Sequence, residues 1–258
     1  MGNLHTGHMS LLECSFQQHP VSVLSIFVNP KQFNDHNDFT RYPRTVEQDC
    51  KLAEELLKKH SGKELVVYAP ADPAEIYPPG FATVVSVPSL AKDLEGEFRP
   101  GHFEGMATVV YLLLHLVKPQ TAYFGRKDYQ QYRIVKRMAR DLGLPVHVKG
   151  MPIIRAEDGL ALSSRNQFLP AAERQNALHI SQSIQHMARL IGHSASNVTQ
   201  ARTWATELMK KDSRWQYLEV REARHFTKEI PARGKAVILG VLQVGSVRLL
   251  DNLEVELA

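Results

Sequence analysis

An α/β fold with a smaller α+β domain at its carboxyl end is what this sequence of 258 residues predicts. Up to residue 153, short runs rich in β-branched residues alternate with helical patterns, the order of a parallel sheet covered by helices. From residue 154 to 258 two amphipathic helices precede three neighbouring strands, the order of an α+β unit. No repeat and no low-complexity linker divides the chain, so two closely adjoining domains, 1–153 and 154–258, are expected.

The elements follow in order. The chain opens on MGNLHTGHMS, where Gly7 and His8 stand where a helix would begin. VSVLSIFVN (21–29) is a near-continuous apolar run, the mark of a strand buried on both faces. TVEQDCKLAEELLKKH (45–60) has helical spacing, a Thr45 cap signal and lysines in its last turn. ELVVYAP (64–70) is the next strand. FEGMATVVYLLLHLV (103–117) is a buried helix, too short for a membrane span, which needs about 20 apolar residues. TAYFG (121–125) is a strand, YQQYRIVKRMARDLG (129–143) a helix closed by glycine, and LPVHVKG (144–150) a strand. Residues 171–192 and 197–211 are the two amphipathic helices of the second half, and WQYLEVREA, KAVILGVLQVG and SVRLLDNLEVEL are its strands.

Composition narrows the function. The net charge of +4 comes from lysines and arginines scattered among acids, as in KLAEELLKK. That is a solvated surface compatible with a small anionic substrate, without the clustered basic and aromatic residues of a nucleic-acid binder. Cys14 and Cys50 form neither a CxxC motif nor a disulfide framework, which favours free thiols in a reducing cytoplasm. Met1 is followed by polar residues rather than by a secretory signal. His179, His186 and His193 recur every seven residues, roughly 10 Å apart along a helix and too far for shared ligation. They read as surface or edge residues of one helix face.

Four stretches carry chemistry, and each also has a bland reading. In HTGH, His5 and His8 fall in one helical turn beside unpaired backbone N–H groups, a setting that attracts phosphate; a zinc pair, disfavoured for want of a third ligand cluster, or incidental polar residues are the alternatives. In FVNPKQF (27–33), the amides of Asn29 and Gln32 stand at a strand's carboxyl end, where ligands of open α/β sheets bind; an Asn-Pro turn would look the same. In FGRKDYQQ (124–131), Gly125 permits close backbone approach and Lys127 can neutralise phosphate. Asp128 can accept from ribose hydroxyls while capping a helix, and Gln131 lies one turn further on; a helix cap with solvated charges is the bland reading. In LSSRN, two hydroxyls and Arg165 match a polyphosphate, or make a plain serine-rich loop. EFRPGHFEG (97–105) adds Arg99 and His102 across a Pro-Gly turn, either a loop over a site or a connection into the apolar helix. There is no GxSxG elbow and no GxxxxGK[ST] loop.

Taken together and in this order, MGNLHTGH, FVNPKQFN with DFTRYPRT, LEGEFRPGHFEGMATVV, FGRKDYQQ and DGLALSSRNQFL resemble the pantothenate synthetase family. That family belongs to the HxGH group of nucleotidylyl transferases on a Rossmann-like fold. The likeness is specific from Met1 to about residue 170 and looser beyond, as for a smaller α+β lid domain. It implies ATP-dependent ligation of pantoate and β-alanine to pantothenate, with AMP, pyrophosphate and a pantoyl-adenylate intermediate. It also implies Mg²⁺ on the phosphates, with no metal residue assigned, and a cytoplasmic homodimer. By position, Met1, Gly2, Asn3, Leu4, His5, Thr6, Gly7 and His8 line ATP, with His8 as proton donor. Gly125, Arg126, Lys127 and Asp128 take its ribose and phosphates, and Ile154 makes a backbone contact to adenine. Leu162, Ser163, Ser164 and Arg165 form the phosphate loop. Gln32 holds pantoate and β-alanine, and Gln131 holds pantoate. The catalytic set is then His5, His8, Lys127 and Arg165.

Two departures from the family stand out. An acidic residue commonly fills the slot of Arg126. Members also carry a strand ending in Pro-Thr ahead of the Met-Gly; this first strand is expected to be missing, the natural chain to start upstream, and the short form to fold poorly. The rivals are another nucleotidylyl transferase of this fold, a class I aminoacyl-tRNA synthetase fragment, and an inactive nucleotide-binding protein. Gln32 and Gln131 argue against a phosphate acceptor, and no KMSKS-like loop supports the second.

Overall fold

A computed structural model describes residues 2–34 and 36–258, which divide into two compact units, Met1–Pro152 and Ile153–Ala258. The first unit contains α1 (Thr6–Gln18), β1 (Val21–Ser25), α2 (His36–Arg41), α3 (Val46–Leu57), β2 (Glu64–Tyr68), α4 (Pro88–Ala91) and α5 (Glu95–Phe98). It continues with α6 (His102–Val117), β3 (Thr121–Gly125), α7 (Tyr129–Asp141) and β4 (His147–Met151). Both strand pairings are parallel. β1 lies on β2 with Val23 opposite Val66, and β3 lies on β4 with Tyr123 opposite Lys149.

Among the described residues these are two separate two-stranded ladders rather than one continuous sheet. α1 touches both β1 and β3, and hydrogen bonds tie its end to each. Ser15 Oγ meets Ser22 Oγ at 2.7 Å, and the His19 ring meets the Tyr123 hydroxyl at 3.0 Å. Leu12 and Phe16 of the same helix sink into a core with Leu24, Ile26 and Ala53. Full burial of a side chain such as Phe16 is worth about 1.5–3 kcal/mol over leaving it in water and helps to hold α1 against β1.

β1 is shorter than its apolar run and is not buried on both faces. Val21 and Val23 stay 46 % and 41 % exposed while Ser22 and Leu24 are buried, the alternation of a strand covered on one side. Ile26 still donates to Tyr68 O at 2.9 Å, and residues 27–29 carry the chain without regular structure toward Gln32.

The second unit packs α8 (Arg174–Ile191) and α9 (Val198–Lys211) on an antiparallel sheet of β5 (Trp215–Glu222), β6 (Gly234–Val244) and β7 (Val247–Leu257), in that order. Its core joins Ile180, Ile184 and Met187 of α8 to Leu218, Ile238 and Leu242 of the sheet. The ring of His186 packs against Trp204 with centroids 4.4 Å apart, and His193 lies beyond the end of α8, so the three histidines do not share one helix face.

Candidate active site

HTGH makes its own helix cap. His5 is the extended N-cap of α1 and its Nδ1 accepts the Gly7 N–H at 3.1 Å, while His8 Nδ1 accepts the His5 N–H at 3.4 Å. A ring nitrogen that accepts an N–H carries no proton, so each neutral ring holds its proton on Nε2. The two rings lie 4.1 Å apart. Burial and then Lys127 hold His5 below the usual histidine range. Burial, with His5 and Lys127 adding to it, holds His8 down to about 3. Neutral imidazole N–H donors, a helix N-terminus and an ammonium together form a place for an anion.

The backbone ahead of this cap is fixed by a residue that sequence reasoning left unassigned. Asp49, buried in the first turn of α3, accepts the N–H of Asn3 at 2.9 Å and of Leu4 at 2.7 Å. Thr45 holds the N-cap position of α3, but its hydroxyl donates to Asp49 at 3.2 Å instead of accepting from the helix backbone. Asn3 sits at φ 53°, in the left-handed region that asparagine tolerates better than most residues. Gly2 packs tightly, because a Cβ there would stand 3.1 Å from Val28 Cγ2. Met1, the first of the expected ATP contacts, lies outside the described residues.

Gln32 ends a single 3₁₀ turn, Pro30–Gln32, whose cap is Asn29. The buried Asn29 is fully used: Oδ1 accepts the Lys31 N–H at 3.2 Å and the Tyr77 hydroxyl at 2.8 Å. Its Nδ2 donates to Gly105 O at 3.1 Å and to Gln32 Oε1 at 3.3 Å. Burial pushes the Tyr77 phenol up to about 12, so it remains a donor. The turn lies so close on α6 that a Cβ at Gly105 would fall 2.0 Å from Lys31 O. A glycine inside a helical pattern was the available signal for this approach.

β3 ends at Gly125, and Arg126–Asp128 form a 3₁₀ turn into α7. Asp128 occupies the cap position of α7 but makes no cap hydrogen bond; its carboxylate meets Lys127 Nζ at 3.2 Å. The expectation that it caps the helix is corrected: the preceding turn already supplies the entry to α7, and the nearby ammonium takes the carboxylate. Gly125 has an ordinary φ of −69°, and a Cβ there would meet no atom within 4 Å. Neither backbone conformation nor protein packing requires a glycine at that point. Gln131 is half-buried in the first turn of α7. Its neighbour Gln130 is structural, accepting from the Glu95 N–H at 3.1 Å and donating to Leu90 O and Asp93 O at 2.8 and 2.9 Å.

Within the first unit these pieces converge. Lys127 and Asp128 act electrostatically on both His5 and His8, and Asp128 acts also on His102, which contacts Gln32 O. Among the described residues no group of three or more His, Cys, Asp or Glu side chains is placed to hold a metal ion.

In the second unit, Ile154 and Leu162 are paired across a hairpin. The Leu162 N–H donates to Ile154 O at 2.9 Å, and Arg155 bridges Ala161. Arg155 is clamped to the buried Asp251 by bonds of 2.6 and 2.8 Å. The hairpin delivers Ser163, whose Oγ accepts the Arg165 N–H at 3.3 Å at the start of a 3₁₀ segment, Ser164–Phe168.

A family model described as pantoate-beta-alanine ligase matches residues 1–254. A pantothenate synthetase of Aquifex aeolicus is 42% identical over 259 residues, covering 99% of this chain and 89% of the relative. One of Sulfurihydrogenibium is 38% identical over 257 residues, covering 98% and 89%. Among solved structures, a pantothenate synthetase of Thermus thermophilus superposes with a TM-score of 0.87 at 42% identity, covering 99% of this chain and 91% of that one. The pantoate-beta-alanine ligase of Francisella tularensis, complexed with beta-gamma ATP and beta-alanine, gives 0.72 at 31% identity, covering 98% and 86%.

Proposed function

The chain belongs to the pantoate-beta-alanine ligase family, and from that membership we propose how its own residues carry the reaction. It is an ATP-dependent ligase that joins pantoate to β-alanine to give pantothenate. The pantoate carboxylate attacks the α-phosphorus of ATP, pyrophosphate leaves, and the amine of β-alanine then displaces AMP from the acyl group. A carboxylate is already a nucleophile, so the protein's part is to align it and to stabilise charge on phosphorus.

The observation that supports this reading is the grouping of His5 and His8 at the N-terminus of α1 under the field of Lys127 and Asp128. His5 and His8 donate through Nε2 to phosphate oxygens. Lys127 balances the charge that grows on them. Asp128 accepts from the ribose. Gly125 and Arg126 complete the strand-end wall, with Gly125 leaving open the volume that a nucleotide approaches. Gln32 and Gln131 hold pantoate, Gln32 also meeting β-alanine. Ile154 takes adenine, while Leu162, Ser163, Ser164 and Arg165 take the phosphates; these assignments stand on the resemblance of the motifs.

Mg²⁺ enters with the ATP substrate. Such an ion keeps most of its water and rides on phosphate. The Asp49 oxygens are occupied by backbone N–H groups. A cytoplasmic homodimer completes the proposal. No helix among the described residues is long and apolar enough to cross a membrane, and both cysteines are free thiols. Sedimentation of the purified chain tests the dimer.

The direct test is mass detection of pantothenate and AMP formed from pantoate, β-alanine and MgATP. His8→Ala is expected to cut the yield per unit time by about two to four orders of magnitude, the usual range for losing a key transition-state donor. Its thermal melt should stay cooperative. A His8→Ala chain with undiminished turnover would remove this assignment.

A further inference from the structure

The geometry points to His102 as a positioning residue that holds the peptide of Gln32 in place for pantoate. The inference rests on the reading of Gln32 as a pantoate contact. His102 is the first residue of α6 and is 6 % exposed. Its Nδ1 lies 2.8 Å from the carbonyl oxygen of Gln32, and its Nε2 lies 3.1 Å from Arg99 Nη1. A carbonyl can only accept and a guanidinium can only donate. His102 is therefore fixed from both sides as the neutral ring with its proton on Nδ1, the opposite tautomer to His5 and His8.

Arg99 is itself held: its guanidinium reaches the Glu95 carboxylate at 4.0 Å, one turn back along α5. Glu95 is buried, and its N–H is gripped by Gln130 at 3.1 Å. A connected path thus runs from α7 through Gln130, Glu95 and Arg99 to His102 and the substrate loop. α6 also meets this loop through the Asn29 amide on Gly105 O and through Gly105 itself, where a Cβ would lie 2.0 Å from Lys31 O and 2.7 Å from Gln32 N. The imidazole adds a hydrogen bond to the Gln32 carbonyl. Asn29 Nδ2 meanwhile occupies Gln32 Oε1, which orients the amide so that Gln32 Nε2 is the group offered to a hydroxyl or carboxylate oxygen. With the carbonyl side tied by His102 and the amide by Asn29, the donor is pre-aimed. A displacement of about 1 Å at such a group is enough to lose up to about a hundredfold in rate.

Two substitutions separate positioning from mere packing, because an asparagine amide nitrogen overlies Nδ1 of histidine whereas a glutamine amide overlies Nε2. His102→Asn keeps a donor for Gln32 O, and His102→Gln loses it. KM for pantoate, KM for ATP and kcat are measured for both on the full chain, with Gln32→Ala as the reference and thermal melts alongside. The expected result is a rise of about tenfold or more in KM for pantoate in His102→Gln. KM for ATP should change by less than about threefold, and His102→Asn should lie close to the native chain. Equal losses in the two His102 variants, with Gln32→Ala strongly impaired, would overturn the positioning role and leave Gln32 standing. An unchanged KM for pantoate in Gln32→Ala would sink the reading of Gln32 and this inference with it. Independently of activity, ¹⁵N spectra of histidine-labelled protein should lose one Nδ1–H neutral ring in His102→Gln, while the rings of His193 and His225, whose Nδ1 atoms also face oxygen acceptors, stay unchanged. Spectra in which no Nδ1–H ring is lost in His102→Gln would also refute the clamp.

Discussion

At the residue scale, the signals differ in how visible they were. His5, His8, Lys127 and Asp128 could be picked out because their chemistry is written in their side chains and their spacing. Asp49 and Gly105 act on backbone atoms dozens of residues away, and nothing local marks a carboxylate that will accept the N–H groups of Asn3 and Leu4. Asp128 illustrates the converse: its position suggests a cap, yet the neighbouring ammonium wins the carboxylate. Gly125 yields a sharp test, since its Cβ volume is open and its φ of −69° suits any residue. Gly125→Ala should leave the melting temperature within a degree or two while raising KM for ATP several-fold; equal KM values would mean that no ligand comes near. The histidines yield a second. His8 at about 3 and His102 at about 4 both titrate below the unfolded value of 6.5. A pKa lowered on folding stabilises the neutral form, so this contribution is complete above about pH 6.5 and is lost as pH falls through the native values. Urea unfolding should therefore show stability dropping below about pH 6.5, with a shallower slope in His102→Asn. An identical slope would contradict the burial of a neutral ring.

At the level of elements, periodicity located the long helices and most strands, and it failed where tertiary context decides. The apolar run at 21–29 predicted a strand buried on both faces, whereas β1 stops at Ser25 and exposes Val21 and Val23. Hydropathy reports that a segment can be buried, not which partners will cover it. The short helices α2, α4 and α5 have no amphipathic signature long enough to read. The hairpin before the serine loop carries the turn-forming AEDG, but its anchor, Asp251, lies in β7, far along the chain. Breaking a buried ion pair by removing one partner costs about 3–5 kcal/mol. Asp251→Ala should accordingly lower the melting temperature by several degrees. A shift indistinguishable from that of an exposed aspartate, such as Asp141→Ala, would show that the hairpin does not depend on the clamp.

For the molecule as a whole, two units with separate cores fit the order in which strands and helices occur along the chain. The alternation of the first half and the helix-then-strand order of the second are properties of the sequence that folding preserves. In the first unit β1 with β2 and β3 with β4 are joined through α1 rather than through each other. Function became readable only when the motifs were taken together, because each alone has a bland structural explanation. In the proposed reaction, acyl activation occurs at the His5, His8 and Lys127 cluster before β-alanine reacts. Exchange of labelled pyrophosphate into ATP isolates that first step. The exchange is expected to require pantoate, to proceed without β-alanine, and to fall about a hundredfold or more in His8→Ala with the fold intact. Exchange that is independent of pantoate, or undiminished in His8→Ala, would contradict it.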